Sequence, residues 1–309
     1  MMVPIPGVIP FPEEKTRYEV ATMRYVAAHT TTPVPHIYHH GTAAENPSGL
    51  GPFIIMDYID HHQNMSRELL DPAREDQRAI LDPNVSEEKL ELLYGQMANI
   101  LLQLSNLKFP LLGSLVDEKV VHNDAPASIL PSKTYTSSNE WYRALADLHM
   151  AQLALQHNSA VEDEDDARDK YVARQLFRNL AAKNRLFPYP APRGGVLNTA
   201  NEEFRLFSED LRPANVLLDK DLRVVGVIDW EFAYAAPAQF SYDPPWWLLV
   251  REPEDWPGGY RPFMEIYEPR LRTFLRVLER EEGKMEEKME EKKRASTEET
   301  SLLLLDPRT

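Results

Sequence analysis

The sequence predicts an α+β protein, and three observations carry that expectation. Leu90, Leu93, Met97, Ile100/Leu101, Leu104 and Leu107 recur every three or four residues, the spacing of one buried helix face. "FIIMDYI" (53–59) and the runs on either side of "DKDLR" (219–223) are short, apolar and bounded by turn residues, the pattern of buried strands. Between about 116 and 187 the chain is mostly helical in spacing and polar-faced, as in "NEWYRALADLHMAQLALQHN" and "DDARDKYVARQLFRNLAAKN".

Taken in order, the first helix is expected from Pro12 to His29. Proline suits a first-turn position, Glu13 and Glu14 favour the positive end of the dipole, and Val20, Met23 and Ala27 share a face. "TTPVPHIY" breaks it and leads into a short extended segment, and "FIIMDYI" follows after a glycine- and proline-rich loop. The long helix over about 86–107 takes Ser86 as N-cap ahead of Glu87 and Glu88. Its uncharged stretch, Leu92 to Leu107, holds Gln96, Asn99, Gln103 and Asn106 and is shorter than a membrane span. "EDEDD" (162–166) reads as a solvated helix start, where acids are favoured, rather than a cation-binding surface. "PYPAPRGG" (188–195) is a loop, a strand is expected near Phe204–Phe207, and residues 215–219 and 223–228 form a hairpin. One or two helices follow Arg261, ending in a charge-rich tail that is an exposed helix or disordered.

The charge balance narrows the partners. With 34 basic against 49 acidic residues the net charge is −15, which repels nucleic acid and anionic membranes but permits a small phosphorylated ligand at a local positive site. There is no cysteine, so disulfides and thiolate metal sites are excluded, and the cytosol is the natural compartment. "MMVPIPGVIPFPEEK" has neither the basic nor the apolar region of a signal peptide. The pairs His39-His40 and His61-His62 sit at segment ends without helical ligand spacing and read as loop residues. Trp246 and Trp247 read as core, with a substrate cleft as the competing role.

The chemistry concentrates in "FSEDLRPANVLLD" (207–219), where Asp210 and Asn215 stand five apart, and in "VVGVID", where an apolar run ends at Asp229. A hairpin starting after Asn215 and ending at Asp229 sets its termini side by side, with Asp210 just upstream. Buried acids without partners are costly. Three oxygen-bearing groups at one place call for a hard cation such as Mg²⁺, which takes one or two carboxylates and completes its shell with phosphate and water.

"DLRPAN", followed fourteen residues after Asn215 by "IDWE", resembles the aminoglycoside phosphotransferase family of the protein-kinase-like superfamily. "EEKTRYEVATMRYVAAHTTTPVPHIY" is similar to its helix C and following strand, "GPFIIMDYI" to its hinge strand, and "DPPWWLL" to a segment of fungal members. The resemblance covers roughly 12–110 and 200–275. It implies a two-lobed fold, with a small truncated N-lobe over 1–60, a largely helical C-lobe over 61–278 that carries the hairpin and a helical insert, and the tail over 279–309. It implies ATP and Mg²⁺ as cofactors and a small-molecule hydroxyl as acceptor, bound against the insert at about 117–205. Asp210 would orient or deprotonate that hydroxyl, Arg212 would neutralise the transferring group, and Asn215 and Asp229 would hold Mg²⁺. Glu19 would stand at the helix C glutamate position, and the backbone of Met56, Asp57 and Tyr58 would meet adenine.

The chain departs from the pattern in two places. Ser208-Glu209 replaces the histidine expected two before Asp210. Ahead of helix C the family has a glycine-rich hairpin and a strand bearing a phosphate-anchoring lysine. Here only "MMVPIPGVIPFP" precedes it, with no basic residue before Lys15 and no evident partner for Glu19. Three readings are therefore carried: an active phosphotransferase, a catalytically silent kinase-like binding or scaffold protein, and a fragment whose true start lies upstream. Arg212 could instead pair with Glu209 or Asp219.

Overall fold

The computed structural model describes residues 1–5, 11–72, 80–113, 133–155, 161–186 and 202–304. The loop expected over 188–195 and the first part of the expected insert lie outside them. In chain order the elements are α1 (Pro12–His29), β1 (Ile37–Gly41), β2 (Phe53–Met56), β3 (Gln63–Asn64), α2 (Met65–Leu69) and α3 (Glu87–Ser105). They continue with β4 (Lys108–Phe109), α4 (Ser138–Leu155), α5 (Glu164–Ala182), β5 (Phe204–Ser208), β6 (Val216–Leu218), β7 (Val224–Val227), β8 (Ala233–Pro237) and α6 (Tyr260–Leu304). The mixture of long helices and small antiparallel sheets is the expected α+β class. Among the described residues no helix is long and apolar enough to cross a membrane.

The chain divides into two compact units. The first comprises Met1–Asp60, Gln103–Leu211 and Val225–Asp243. Its α1 starts with Pro12 in the first turn and Glu13 and Glu14 behind it. The buried stripe runs through Thr16, Glu19, Val20, Met23 and Val26, so Val26 takes the place expected of Ala27, which is exposed. β1 and β2 pair antiparallel from Ile37 opposite Met56 to Gly41 opposite Phe53. Met2 exchanges both backbone hydrogen bonds with Ile54, at 2.8 and 2.9 Å. β2 ends at Met56, short of the expected Ile59, because Asp57 and Tyr58 are exposed and leave the strand.

β4, β5 and β8 form an antiparallel sheet with β5 in the middle. Phe204 and Ala235 face a core built with Leu112, Tyr135, Trp141 and Tyr142, and α4 and α5 pack on it through Ala146 and Ala181. Asp163 caps α5 by accepting the N–H of Asp166 at 2.8 Å. Glu164 and Asp165 pair with Arg168, and Asp166 with Lys170. "EDEDD" is a helix start, as expected.

The second unit comprises His61–Leu102, Arg212–Val224 and Pro244–Thr309. The Ser86 hydroxyl accepts the N–H of Lys89 at 3.2 Å, confirming the cap of α3. Leu90, Leu93, Tyr94 and Met97 are fully buried. The Tyr94 hydroxyl donates to the Leu248 carbonyl at 2.6 Å, and its ring meets Trp247 and Phe274 edge-on. α6 is one helix, continuing past Pro269, where the sequence left open one or two. β3 pairs antiparallel with β6, Gln63 opposite Leu218. Asp219 shapes the turn that returns the chain into β7: its carboxylate accepts the N–H groups of Asp221 and Arg223 at 2.8 and 2.9 Å.

Candidate active site

Within the first unit the register of β5 against β8 brings the key acids together. Ser208 stands opposite Ala233, so residues just after β5 lie beside those just before β8. Glu209 N–H donates to the Phe232 carbonyl at 3.2 Å, and Leu211 N–H to Ser208 at 3.3 Å, which sets Asp210 in the intervening turn. On the facing side Trp230 is 1% exposed and its indole N–H donates to the Val227 carbonyl at 3.0 Å. With Trp230 driven inward by burial, Asp229 takes φ +64°, a left-handed conformation uncommon outside glycine and tolerated best by Asp and Asn. Val227 N–H donates to the Pro33 carbonyl at 2.8 Å, fixing the end of β7 against the segment that follows α1. The sequence reading credited the β6–β7 hairpin with assembling the acids. For Asp210 and Asp229 the β5–β8 pair does so.

The cluster is acidic. Burial pushes the Asp229 carboxyl up to about 6, with repulsion from Glu231 and then Asp210 adding and Lys15 opposing. Burial pushes Glu19 up to about 7. Lys15 again opposes, Asp229 and Glu231 add, and the Trp230 backbone N–H donates to its carboxylate. Glu19 does have a partner, which corrects the sequence reading. Lys15, one helical turn earlier, lies 3.9 Å from Glu19 Oε2 and 2.9 Å from Glu231 Oε2. The signal was present as a Lys–Glu pair four apart, which shares a helix face. The Glu231 half of the arrangement is a long-range contact that no local spacing announces.

The other expected site residues fall as follows. In the first unit Asp57 N–H donates to the His36 carbonyl at 2.9 Å, and its carboxylate accepts the Tyr38 hydroxyl at 2.7 Å. Met56 is half-buried and Tyr58 exposed. In the second unit Asn215 is buried at the end of a short 3-10 turn, Pro213–Asn215, and its N–H donates to the Arg212 carbonyl at 2.9 Å. Arg212 lines a cleft of about 120 Å³ with Ser66, Ala214, Trp246 and Trp247. The two tryptophans thus divide their roles, Trp247 packing on Tyr94 while Trp246 is half-buried. Glu209 accepts the Tyr234 hydroxyl at 2.8 Å. His39 and His40 lie on β1 rather than in a loop.

The donor set of the first unit fits a hard divalent cation. Glu19 and Glu231 flank the Lys15 ammonium, Asp229 is repelled by Glu231 and Asp210, and the added charge of a cation would relieve that repulsion. Among the described residues no three acidic or histidine side chains converge closely enough to cage a metal unaided. Mg²⁺ needs only one or two carboxylates when phosphates and water complete its shell.

The sequence matches the phosphotransferase enzyme family, APH, over residues 9–278. No curated protein matches it. Several solved structures resemble it, three of which follow. A Ralstonia eutropha protein assigned to the aminoglycoside phosphotransferases shares 13% identity over 86% of this chain and 70% of that one, with a TM-score of 0.45. The GDP and kanamycin complex of APH(2")-IIIa shares 14% identity over 94% of this chain and 81% of that one, with a TM-score of 0.44. The GDP complex of a point mutant of aminoglycoside 2'-phosphotransferase-IIIa shares 13% over 94% and 82%, with a TM-score of 0.42.

Proposed function

This chain belongs to the phosphotransferase enzyme family, and we propose that it transfers the terminal phosphoryl group of ATP, with Mg²⁺, to the hydroxyl of a small molecule. The observation that carries the proposal is the proximity of Asp210 and Asp229 at the joined ends of β5 and β8, where the two carboxylates repel each other near the half-buried ammonium of Lys15.

Asp210 sits in a turn and is only half-buried, so an acceptor hydroxyl has access to it. In the transfer it takes the hydroxyl proton while the oxygen bonds to the γ-phosphorus and the bond to the ADP oxygen breaks. This is general-base positioning, typically worth a hundredfold or more. Asp229 would hold Mg²⁺, and the D-x-x-x-x-N spacing, read by family resemblance, gives Asn215 a metal-ligand role and Arg212 a phosphate-directed one. Bound Mg²⁺ would neutralise the charge of the phosphate oxygens. Asp229 takes φ +64° beside the buried Trp230, which fixes its backbone at the start of the turn. The backbone at Met56 and Tyr58 is assigned to adenine. At Asp57 the N–H already donates to His36, so only the carbonyl there remains for the base.

The test is transfer of labelled γ-phosphate to a panel of hydroxylated small molecules by wild type and Asp210→Asn. Transfer should fall about a hundredfold or more in the variant while its ATP–Mg²⁺ affinity stays within about twofold. Equal loss of transfer and affinity would overturn the role given to Asp210.

A further inference from the structure

Lys15 lies in the first turns of α1, on the face that carries Glu19 one turn later. Its side chain is 15% exposed, low for a lysine, and its ammonium meets Glu231 Oε2 at 2.9 Å and Glu19 Oε2 at 3.9 Å. Glu19 is 2% exposed and lies beneath the ammonium, whereas Glu231 is 21% exposed and lies toward solvent. Glu19 Oε2 makes no hydrogen bond among the described residues, so its interaction with Lys15 is one of charge at a distance.

A phosphate arriving at this place would meet Asp210, Asp229 and Glu231, all of its own sign. Lys15 is the positive charge built into that cluster. Lysine suits a phosphate because its ammonium is a compact point charge with three donors on a flexible stem, and a carboxylate at its rim uses one of them. Glu19, buried beneath the ammonium, stays in place while the outer partner changes.

We propose that Lys15 is a phosphate anchor, exchanging the carboxylate of Glu231 for phosphate oxygens of the nucleotide when it binds. Lys15 lies on the helix that carries Glu19, and Glu231 holds its ammonium until the nucleotide arrives. The inference rests on the nucleotide reading above and adds a residue to it.

Calorimetric titration of wild type, Lys15→Met, Lys15→Arg and Glu231→Gln with ATP–Mg²⁺, ADP–Mg²⁺ and adenosine tests it. Loss of one charged hydrogen-bond donor should weaken ATP and ADP about tenfold or more in Lys15→Met while adenosine changes less than about twofold. Lys15→Arg should recover part of the loss. Glu231→Gln should bind ATP at least as tightly as wild type, because it releases the ammonium without removing it. The inference is overturned if Lys15→Met leaves ATP affinity unchanged or weakens adenosine as much as ATP. It is equally overturned if Glu231→Gln weakens ATP as Lys15→Met does, the result for a purely structural ion pair. Should Lys15→Met not fold, the Glu231→Gln arm decides alone. Absence of ATP binding in the wild-type arm would instead overturn the nucleotide reading itself.

Discussion

The ammonium of Lys15 meets the carboxylate of Glu231 at 2.9 Å, joining the start of α1 to the turn that precedes β8. One residue back along that turn is the buried Trp230, and one more is Asp229. The helix, the turn and the end of β5 therefore act as one electrostatic assembly, and its members should respond together to pH and substitution.

Glu19 should make the fold pH-sensitive. Its carboxyl is raised from 4.5 to about 7, so the folded state favours the neutral form. The contribution is fully present below pH 4.5 and is lost as pH rises through 7, a swing of roughly 3 kcal/mol from this group. Denaturant midpoints from pH 5 to pH 8 should fall in wild type and fall less in Glu19→Gln, which keeps an oxygen to accept the Trp230 N–H and leaves the smaller fall due to Asp229. A midpoint that falls equally in both would assign the effect elsewhere.

Asp229 should cost stability in exchange for function. Burial and two neighbouring acids disfavour its charge, and a left-handed φ favours only Asn and Gly as replacements. Asp229→Asn should therefore raise stability at pH 8 by about 1 kcal/mol while abolishing magnesium-dependent nucleotide binding. Chemical denaturation and binding read on the same preparation would show whether the two move in opposite directions.

Trp230 should matter for both. Replacing it with Ala empties a fully buried site and leaves the Val227 carbonyl without its indole donor, at a cost of about 3–5 kcal/mol. Trp230→Phe keeps most of the volume and should cost markedly less, which thermal unfolding of the pair would establish.

In the second unit Tyr94→Phe removes the donor to the buried Leu248 carbonyl without changing the packing on Trp247 and Phe274. About 1–3 kcal/mol should be lost. Unchanged near-ultraviolet dichroism would show that the aromatic cluster itself persists.

How much of this was legible in the sequence follows from how local each signal is. α1 and α3 were readable because their apolar spacing and their first-turn residues, Pro12 and Ser86, act within one or two turns. Asp229 was singled out because it closes an apolar run, and Asp210 because it stands just upstream of one, five residues before Asn215. β8 was not seen: "AYAAP" has neither alternation nor β-branched residues, and it is a strand because β5 pairs with it over five residues. That pairing, invisible in local pattern, is what joins Asp210 to Asp229. β3 and β4, two residues each, are likewise set by their partners. Lys15 could have been noted from its spacing to Glu19, but its bond to Glu231 spans more than two hundred residues and belongs to the tertiary fold.

The acidic cluster beside Lys15 is proposed to receive a magnesium nucleotide. Calorimetric titration of residues 1–309 with ATP, with and without Mg²⁺, and of Asp229→Ala as control tests it most directly. Binding should require Mg²⁺ and disappear in Asp229→Ala. A folded wild-type protein that binds no ATP, or an Asp229→Ala variant that binds it as well as wild type, would contradict it.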